Sequence, residues 1–468
     1  MFLCNCAVPI APGYRVNKES REIRFVAGSA PAINVQASYS LQNTGNSELS
    51  FIDLTLPTRA GYGLTDLHAE LDGRDTELSQ LPEELRVDFP DAMRIGFSSP
   101  WKMSAKYDLT LEYSFRSPSE PGSGITLSDS AFHLGSRGVF IALNPPKHLL
   151  APYPKRPNQM YYSVIVPQGL RVLARGTPAG RKRTGADIEY RYRLMSSDLA
   201  AFVVAGQYTE TAPLGDSGPI FWTFEPASID AGTARSLLQS WNTLQTEFGS
   251  LDKNIHVPHI VEVPNLPEHI SGEQGVAAIA FPGGALVSSS SLAAGVQSEE
   301  FIEAVSHALA HNWFGDEMYP IPTASLVLGE GLPEYAMIAI DEARGGQAAR
   351  QQRVKRYLLA YDNAVRQGQE ETLAVSRLSD PPAQRRIALA KAPLFFAALE
   401  DECGSQAMQS ALKEVVTLLR GEQVGYPAIR AALEEKSGKN LAATFRLWLN
   451  EKGIPEDFRE RYEGKQGG

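Results

Sequence analysis

Hydrophobic side chains change period once along this chain, and that switch constrains the fold more than any other feature. Over roughly the first 205 residues apolar positions alternate with polar ones. They do so at Ile33, Val35, Ala37, Tyr39 and Leu41, and again at Tyr107, Leu109, Leu111, Tyr113 and Phe115. A period of two puts every second side chain on one face of a sheet. Shorter runs at Tyr162, Val164 and Val166 and at Ile188, Tyr190, Tyr192 and Leu194 repeat it, with turn formers at 43–46 and 167–169. The amino-terminal part therefore reads as an antiparallel β domain.

After a last apolar strand at 201–205 the spacing becomes helical, at Leu237, Leu238, Trp241, Leu244 and Phe248. Thr233 is the expected N-cap and Gly249 the stop. Strands are expected at 255–263 and 277–287. Helices follow at 298–313, at 330–343 closed by Gly345 and Gly346, and at 347–366, 385–399, 405–420 and 441–449. No internal repeat is visible. The chain of 468 residues has room for two to four domains, and the pattern divides it into a β domain at 1–205, an α+β domain ending in helices at 206–463, and a frayed tail at 464–468.

Composition removes several function classes. With 43% hydrophobic and 21% charged residues the chain is an ordinary globular one. A net charge of −10 disfavours nucleic acid and anionic lipid as partners. The clusters Arg181, Lys182, Arg183 and Arg353, Lys355, Arg356 are short enough to read as solvated faces. Cys4, Cys6 and Cys403 cannot build a disulfide framework. The most apolar stretch, 275–297, is broken by Pro282, Gly283 and Gly284, so no membrane span is expected. The opening MFLCNCAVPIAPGYR lacks the basic region of a signal peptide, which makes a cytoplasmic location the expectation.

Chemistry concentrates on the helix expected at 298–313. Ser298 can cap it, Glu299 and Glu300 suit its first turn, and His307 and His311 lie four apart. That spacing puts two imidazoles on one helical face, within reach of a single metal ion. Glu330 follows after an eighteen-residue gap and opens the next helical pattern. Two histidines, one glutamate and an open fourth position form the ligand set of a catalytic zinc site.

VSHALAHNWFGD followed by LGEGLPEYA resembles the aminopeptidase N type of zinc metallopeptidase, the gluzincins, which read HExxH, x18, E. SSDLAAFVVAGQY resembles that family's junction between a saddle-like β domain and a thermolysin-like domain, and FRLWLNEKGIP a helix near the end of its catalytic region. The resemblance implies a multidomain protein, an antiparallel β saddle-like domain followed by a thermolysin-like α+β domain, with one zinc per chain on His307, His311 and Glu330.

Three departures set this chain apart from that pattern. Ala308 stands where the family has the glutamate that takes a proton from the attacking water, and losing a general base costs roughly 10²–10⁴ in rate. In SGEQGVAAIAF, Gln274 falls where the family's glutamate grips the substrate amine, with Glu273 one residue off. In LAKAPLFFAALE, Leu389 replaces the oxyanion tyrosine while Lys391 remains. An engineered change would touch Ala308 alone, whereas loss at three positions points to a degenerate relative.

The resemblance therefore implies a zinc-binding, peptidase-fold protein with little or no peptidase activity that binds a peptide or protein ligand. The alternatives are an aminopeptidase inactivated by a Glu-to-Ala change at 308 and a metal-free interaction module. Glu334, one turn past Glu330, can orient an imidazole or simply face solvent. Asp316, just beyond the helix end, reads as another such orienter or simply as a loop residue. His256, His259 and His269 read as structural, Trp313 and Phe314 as core, and Lys391 as a solvated or capping lysine.

Overall fold

The computed structural model describes residues 13–55, 63–83, 92–116, 125–134, 142–143, 160–194, 202–211, 219–225, 229–251, 258–263, 266, 278–281, 283–295, 298–315, 318–368, 372–374, 382–420 and 422–463. They fall into two compact units. The first comprises Met1–Glu210, Trp222–Pro226 and Glu262–Ile270, and the second Thr211–Phe221, Ala227–Val261 and Ser271–Gly468.

The first unit is built on an eight-stranded sheet. Its order is Thr177–Thr184, Asp187–Leu194, Met160–Pro167, Tyr14–Val26, Ala32–Asn43, Lys106–Arg116, Gly63–Leu71 and Arg74–Asp75. Ile33, Val35, Ala37, Tyr39 and Leu41 are all buried, as are Leu109, Leu111, Tyr113 and Phe115 on the next strand. Burying each large apolar side chain contributes about 1.5–3 kcal/mol, which is why the period-two pattern fixes the register. The pairing is antiparallel with one exception, because Tyr14–Val26 and Met160–Pro167 run parallel. More than a hundred residues separate these two strands, and a long crossover permits a parallel neighbour that a hairpin cannot make.

A five-stranded sheet takes the order Thr209–Glu210, Ile220–Thr223, His259–Val263, Gly284–Ser288 and Ala278–Phe281. The single strand expected at 277–287 is a hairpin, with Phe281 paired to Gly284 across a turn that includes Gly283 at φ 94°. A Cβ at Gly284 would sit 1.9 Å from the His259 carbonyl oxygen, so only glycine lets these strands approach.

Helices make up most of the other described residues of the second unit. Ala231–Phe248 is capped by Asp230 rather than Thr233, the Asp230 Oδ1 accepting from the amides of Gly232 and Thr233 at 2.7 and 3.1 Å. The intervening Ala231 and Gly232 carry no apolar signal, so the periodicity begins late. Gly249 ends that helix at φ 87°, as expected. The two helices expected at 330–343 and 347–366 form one hydrogen-bonded run, Leu332–Gln367, interrupted at Gly346 (φ 68°, ψ −163°). Pro382–Cys403, Ser405–Leu418 and Ala442–Asn450 match the remaining expectations closely. Tyr426–Ser437 is a further helix, absent from the sequence reading, with Pro427 in its first turn, where proline is tolerated.

Candidate metal centre

The helix Glu299–Ala310 begins where the sequence places it. Ser298 Oγ accepts from the Phe301 amide at 3.1 Å, and Glu299 and Glu300 occupy the first turn, where the helix dipole favours negative charge. Phe301, Val305, Ala308 and Leu309 are buried and fix the helix's rotation. His307 and His311 then share the remaining face.

Asn312, which sequence reasoning passed over, anchors the end of this helix. Its Oδ1 accepts from the Gly283 amide, and its Nδ2 donates to the carbonyls of Gly284 and Leu309 at 3.2 and 3.0 Å. A buried amide with three partners holds the His311 end against the hairpin. Trp313 and Phe314 are core, as expected.

Glu330 does not open an α-helix but lies on a π turn, Val327–Gly331, that leads into Leu332–Gln367. Pro333 accounts for the wide turn, since in an α-helix its ring would clash with the carbonyl of Gly329. A Cβ on Gly331 would lie 2.5 Å from the Ala392 Cβ, so the glycine after Glu330 is dictated by packing.

These local features bring three donors together. His307 Nε2 lies 3.1 Å from His311 Nε2, His311 Nε2 lies 3.3 Å from Glu330 Oε2, and His307 Nε2 lies 3.8 Å from the same oxygen. Donors at about 2.0–2.1 Å from a tetrahedral ion stand roughly 3.3 Å apart, and these edges bracket that value. The side chains are 18–27% exposed, leaving one open side to the trio. Two imidazoles and a carboxylate with a free position therefore fit zinc.

Behind the trio a second layer sets the imidazole tautomer. Glu334 Oε1 is 3.2 Å from His307 Nδ1, so the Nδ1 proton is donated to Glu334 and the Nε2 lone pair faces the trio. Glu334 Oε2 accepts from the Tyr357 hydroxyl at 2.6 Å. Glu334 and Tyr357 are 23 residues apart, which on a straight helix would separate them by about 34 Å. They meet because the backbone at Gly346 folds the helical run back on itself. Tyr357 left no signal in the sequence, whereas Glu334 did.

Electrostatics agree with the geometry. Burial disfavours a proton on His307, but Glu334 and then Glu330 outweigh it and raise the imidazole pKa. Burial pushes the Glu330 carboxyl up, and the facing imidazoles overcome this and hold it well below the usual carboxylate range.

The other predicted positions divide. Ala308 is 1% exposed, its methyl packed in the core. Leu389 packs partly buried against the same core. Lys391 is buried rather than solvated and caps a helix, its Nζ donating at 2.6 Å to the carbonyl of Glu451, the C-cap of Ala442–Asn450. His259 sits on its strand with its amide bonded to Gly283. Glu273, Gln274, Asp316, His256 and His269 lie outside the described residues, as do Cys4, Cys6 and the tail 464–468.

No protein-family model and no curated protein sequence matches the chain. Solved structures do. An M1 zinc metallopeptidase from Deinococcus radiodurans superposes with a TM-score of 0.63 at 18% identity, over 95% of this chain and 95% of its own. A Glu-to-Ala mutant of an M1 zinc metallopeptidase from the same organism, bound to a Tyr-Ser-Ala substrate, gives 0.64 at 18% identity over 95% of each chain. The fold is that of the M1 zinc metallopeptidases. Native yeast LTA4 hydrolase shares it, with a TM-score of 0.67 at 14% identity over 95% of this chain and 69% of that one. Among the described residues no helix is long and apolar enough to cross a membrane.

Proposed function

We propose that this protein is a zinc-binding member of the peptidase fold that has lost efficient peptide hydrolysis and holds a peptide or protein ligand at its metal face. In this reading the β part, 1–205, is the saddle-like domain and 206–463 the thermolysin-like domain. His307, His311 and Glu330 hold one zinc, and Glu334 with Tyr357 orients His307. Zinc, when bound, supplies Lewis acidity and lowers the pKa of water toward neutrality. The chain's own residues supply the frame but not the proton transfer, because Ala308 has no group that can accept a proton. An assembled donor trio on a helix whose position 308 carries only a methyl group is the observation that carries the reading. Leu389, packed against apolar neighbours, offers no hydroxyl to a developing oxyanion.

Elemental analysis tests the metal. His307→Ala should remove about one equivalent of tightly held zinc, and a zinc content unchanged by His307→Ala overturns the reading. Turnover of aminoacyl-naphthylamides tests the chemistry, and the parent should show none above a zinc-free control.

A second reading has its own support. The intact Glu334–Tyr357 pair behind His307 is what a single substitution at 308 in a working aminopeptidase would leave. Ala308→Glu separates the two. A gain of the roughly 10²–10⁴ expected of a restored general base favours the second reading, and a gain under about tenfold favours the first.

A further inference from the structure

The edge of the eight-stranded sheet carries an arrangement that the peptidase-like site does not use. Strand Gly63–Leu71 turns into Arg74–Asp75 through Asp72 and Gly73, both at positive φ (51° and 70°). Two such residues make a type I′ turn, the connection that best matches strand twist. The turn fixes Leu71 opposite Arg74 and Glu70 opposite Asp75. The Thr76 amide donates to the Ala69 carbonyl at 2.9 Å, so Glu70 and Asp75 form a pair without hydrogen bonds of its own, the kind whose side chains approach most closely.

Two carboxylates directly opposite one another destabilise a hairpin unless a cation sits with them. Glu112, opposite His68 on the neighbouring strand, adds a third. Arg116, also on that strand, is taken by Asp66 at 3.2 Å. Among the described residues the group within ion-pair reach of both Glu70 and Asp75 is the imidazole of His68. A register shift between Thr65 and His68, with Asp66 at φ 58°, marks a bulge just before it. Ala69 points into the core, so His68 and Glu70 share the outer face.

His68 Nε2 stands 3.4 Å from Asp75 Oδ1 and 3.6 Å from Glu70 Oε1, and one donor atom from each of the three lies within 4.8 Å of the others. These edges are close to the roughly 3.3 Å between ligands of one small dication. We propose that this hairpin is a second metal site, independent of the first, in which His68, Glu70 and Asp75 bind a first-row divalent ion such as zinc. The imidazole selects zinc, nickel or copper over calcium and magnesium, and water completes the shell on the open side. The side chains are 43%, 42% and 85% exposed, so the ion exchanges readily. Its effect is to clip the two-residue edge strand to the sheet.

Titrating zinc chloride into metal-free full-length protein at pH 7.5 tests this by calorimetry. The parent should show two events, a tight one and a weaker one. His68→Ala should erase the weaker event and keep the tight one, Asp75→Asn should weaken it at least about tenfold, and His307→Ala should erase only the tight one. If His307→Ala abolishes all zinc uptake, the hairpin proposal falls while the first site stands. If His68→Ala leaves both events, the proposal falls, and the imidazole serves the carboxylate pair without a metal. Calcium binding the hairpin as tightly as zinc would overturn the assigned metal class. Loss of the weaker event in His68→Ala together with an unchanged tight event in His307→Ala would sink the first site and leave this one.

Discussion

Replacing Glu334 tests whether the second layer behind His307 sets metal affinity. The carboxylate accepts the His307 Nδ1 proton at 3.2 Å and the Tyr357 hydroxyl at 2.6 Å. A hydrogen bond to a charged partner contributes about 1.5–3 kcal/mol, a neutral one about 0.5–1.5. Glu334→Gln keeps a neutral acceptor and should lose about 1–1.5 kcal/mol, a five- to tenfold fall in zinc affinity. Glu334→Leu removes the acceptor altogether and frees His307 to adopt the tautomer whose Nε2 proton blocks the metal. Its loss should reach about 10–100-fold. Tyr357→Phe leaves the carboxylate charged and should cost less than either. Competition against a fluorescent zinc chelator at fixed pH gives the three ratios, with circular dichroism confirming that each variant is folded. A Glu334→Leu affinity within twofold of the parent, or Tyr357→Phe the most damaging of the three, would refute the reasoning.

Other predictions concern the frame. His133 is buried on strand Phe132–Leu134, and burial lowers its pKa to about 3. The unfolded chain binds more protons between that value and about 6.5, so stability falls as pH drops below about 6.5, by about 2 kcal/mol at pH 5. Hydrogen exchange of Ile125–Leu134 should show that loss in the parent and not in His133→Gln. Equal losses would contradict it. Gly346, at φ 68° and ψ −163°, occupies a region reserved for glycine, so Gly346→Ala should cost about 1–3 kcal/mol in chemical denaturation. It should also weaken zinc binding by loosening Tyr357 from Glu334. Lys391→Met should lower Tm by stripping the Glu451 carbonyl of a donor while leaving zinc affinity within twofold, because the Lys391 ammonium is bonded to a helix end.

How much of this was legible in the sequence depended on how far each signal reached. Alternation at 33–41 and at 107–115 reports burial, so the β part and the buried face of its strands could be read directly. The imidazole pair is a local feature of one helix and was equally plain. Glu330 was found by its spacing, but its π turn was not, since it arises from Pro333 and from the approach of Gly331 to Ala392. Tyr357 lies far along the chain and reaches Glu334 only through the reversal at Gly346. The parallel neighbour of Tyr14–Val26 was hidden for the same reason, because periodicity says which face is buried and not which strand lies alongside.

The donor trio has a physical use even without a proton acceptor beside it. Glu330 and Glu334 both bear on His307, and each raises the imidazole pKa against burial. A dication at the trio would meet the same carboxylate field with a stronger and more localised positive charge than a proton. Any ligand that binds only the folded chain stabilises it, by about 2.7 kcal/mol at a hundredfold excess over its Kd. Zinc can therefore hold the His307 helix, the π turn and the folded-back run Leu332–Gln367 in one arrangement whether or not any bond is cleaved there. Chelation of the zinc-loaded parent should accordingly lower the thermal midpoint of the second unit, and His311→Ala should abolish that shift. A midpoint indifferent to chelator in a protein shown to carry zinc would mean that the trio contributes nothing to the frame, and would remove this account of why three ligands stand beside Ala308.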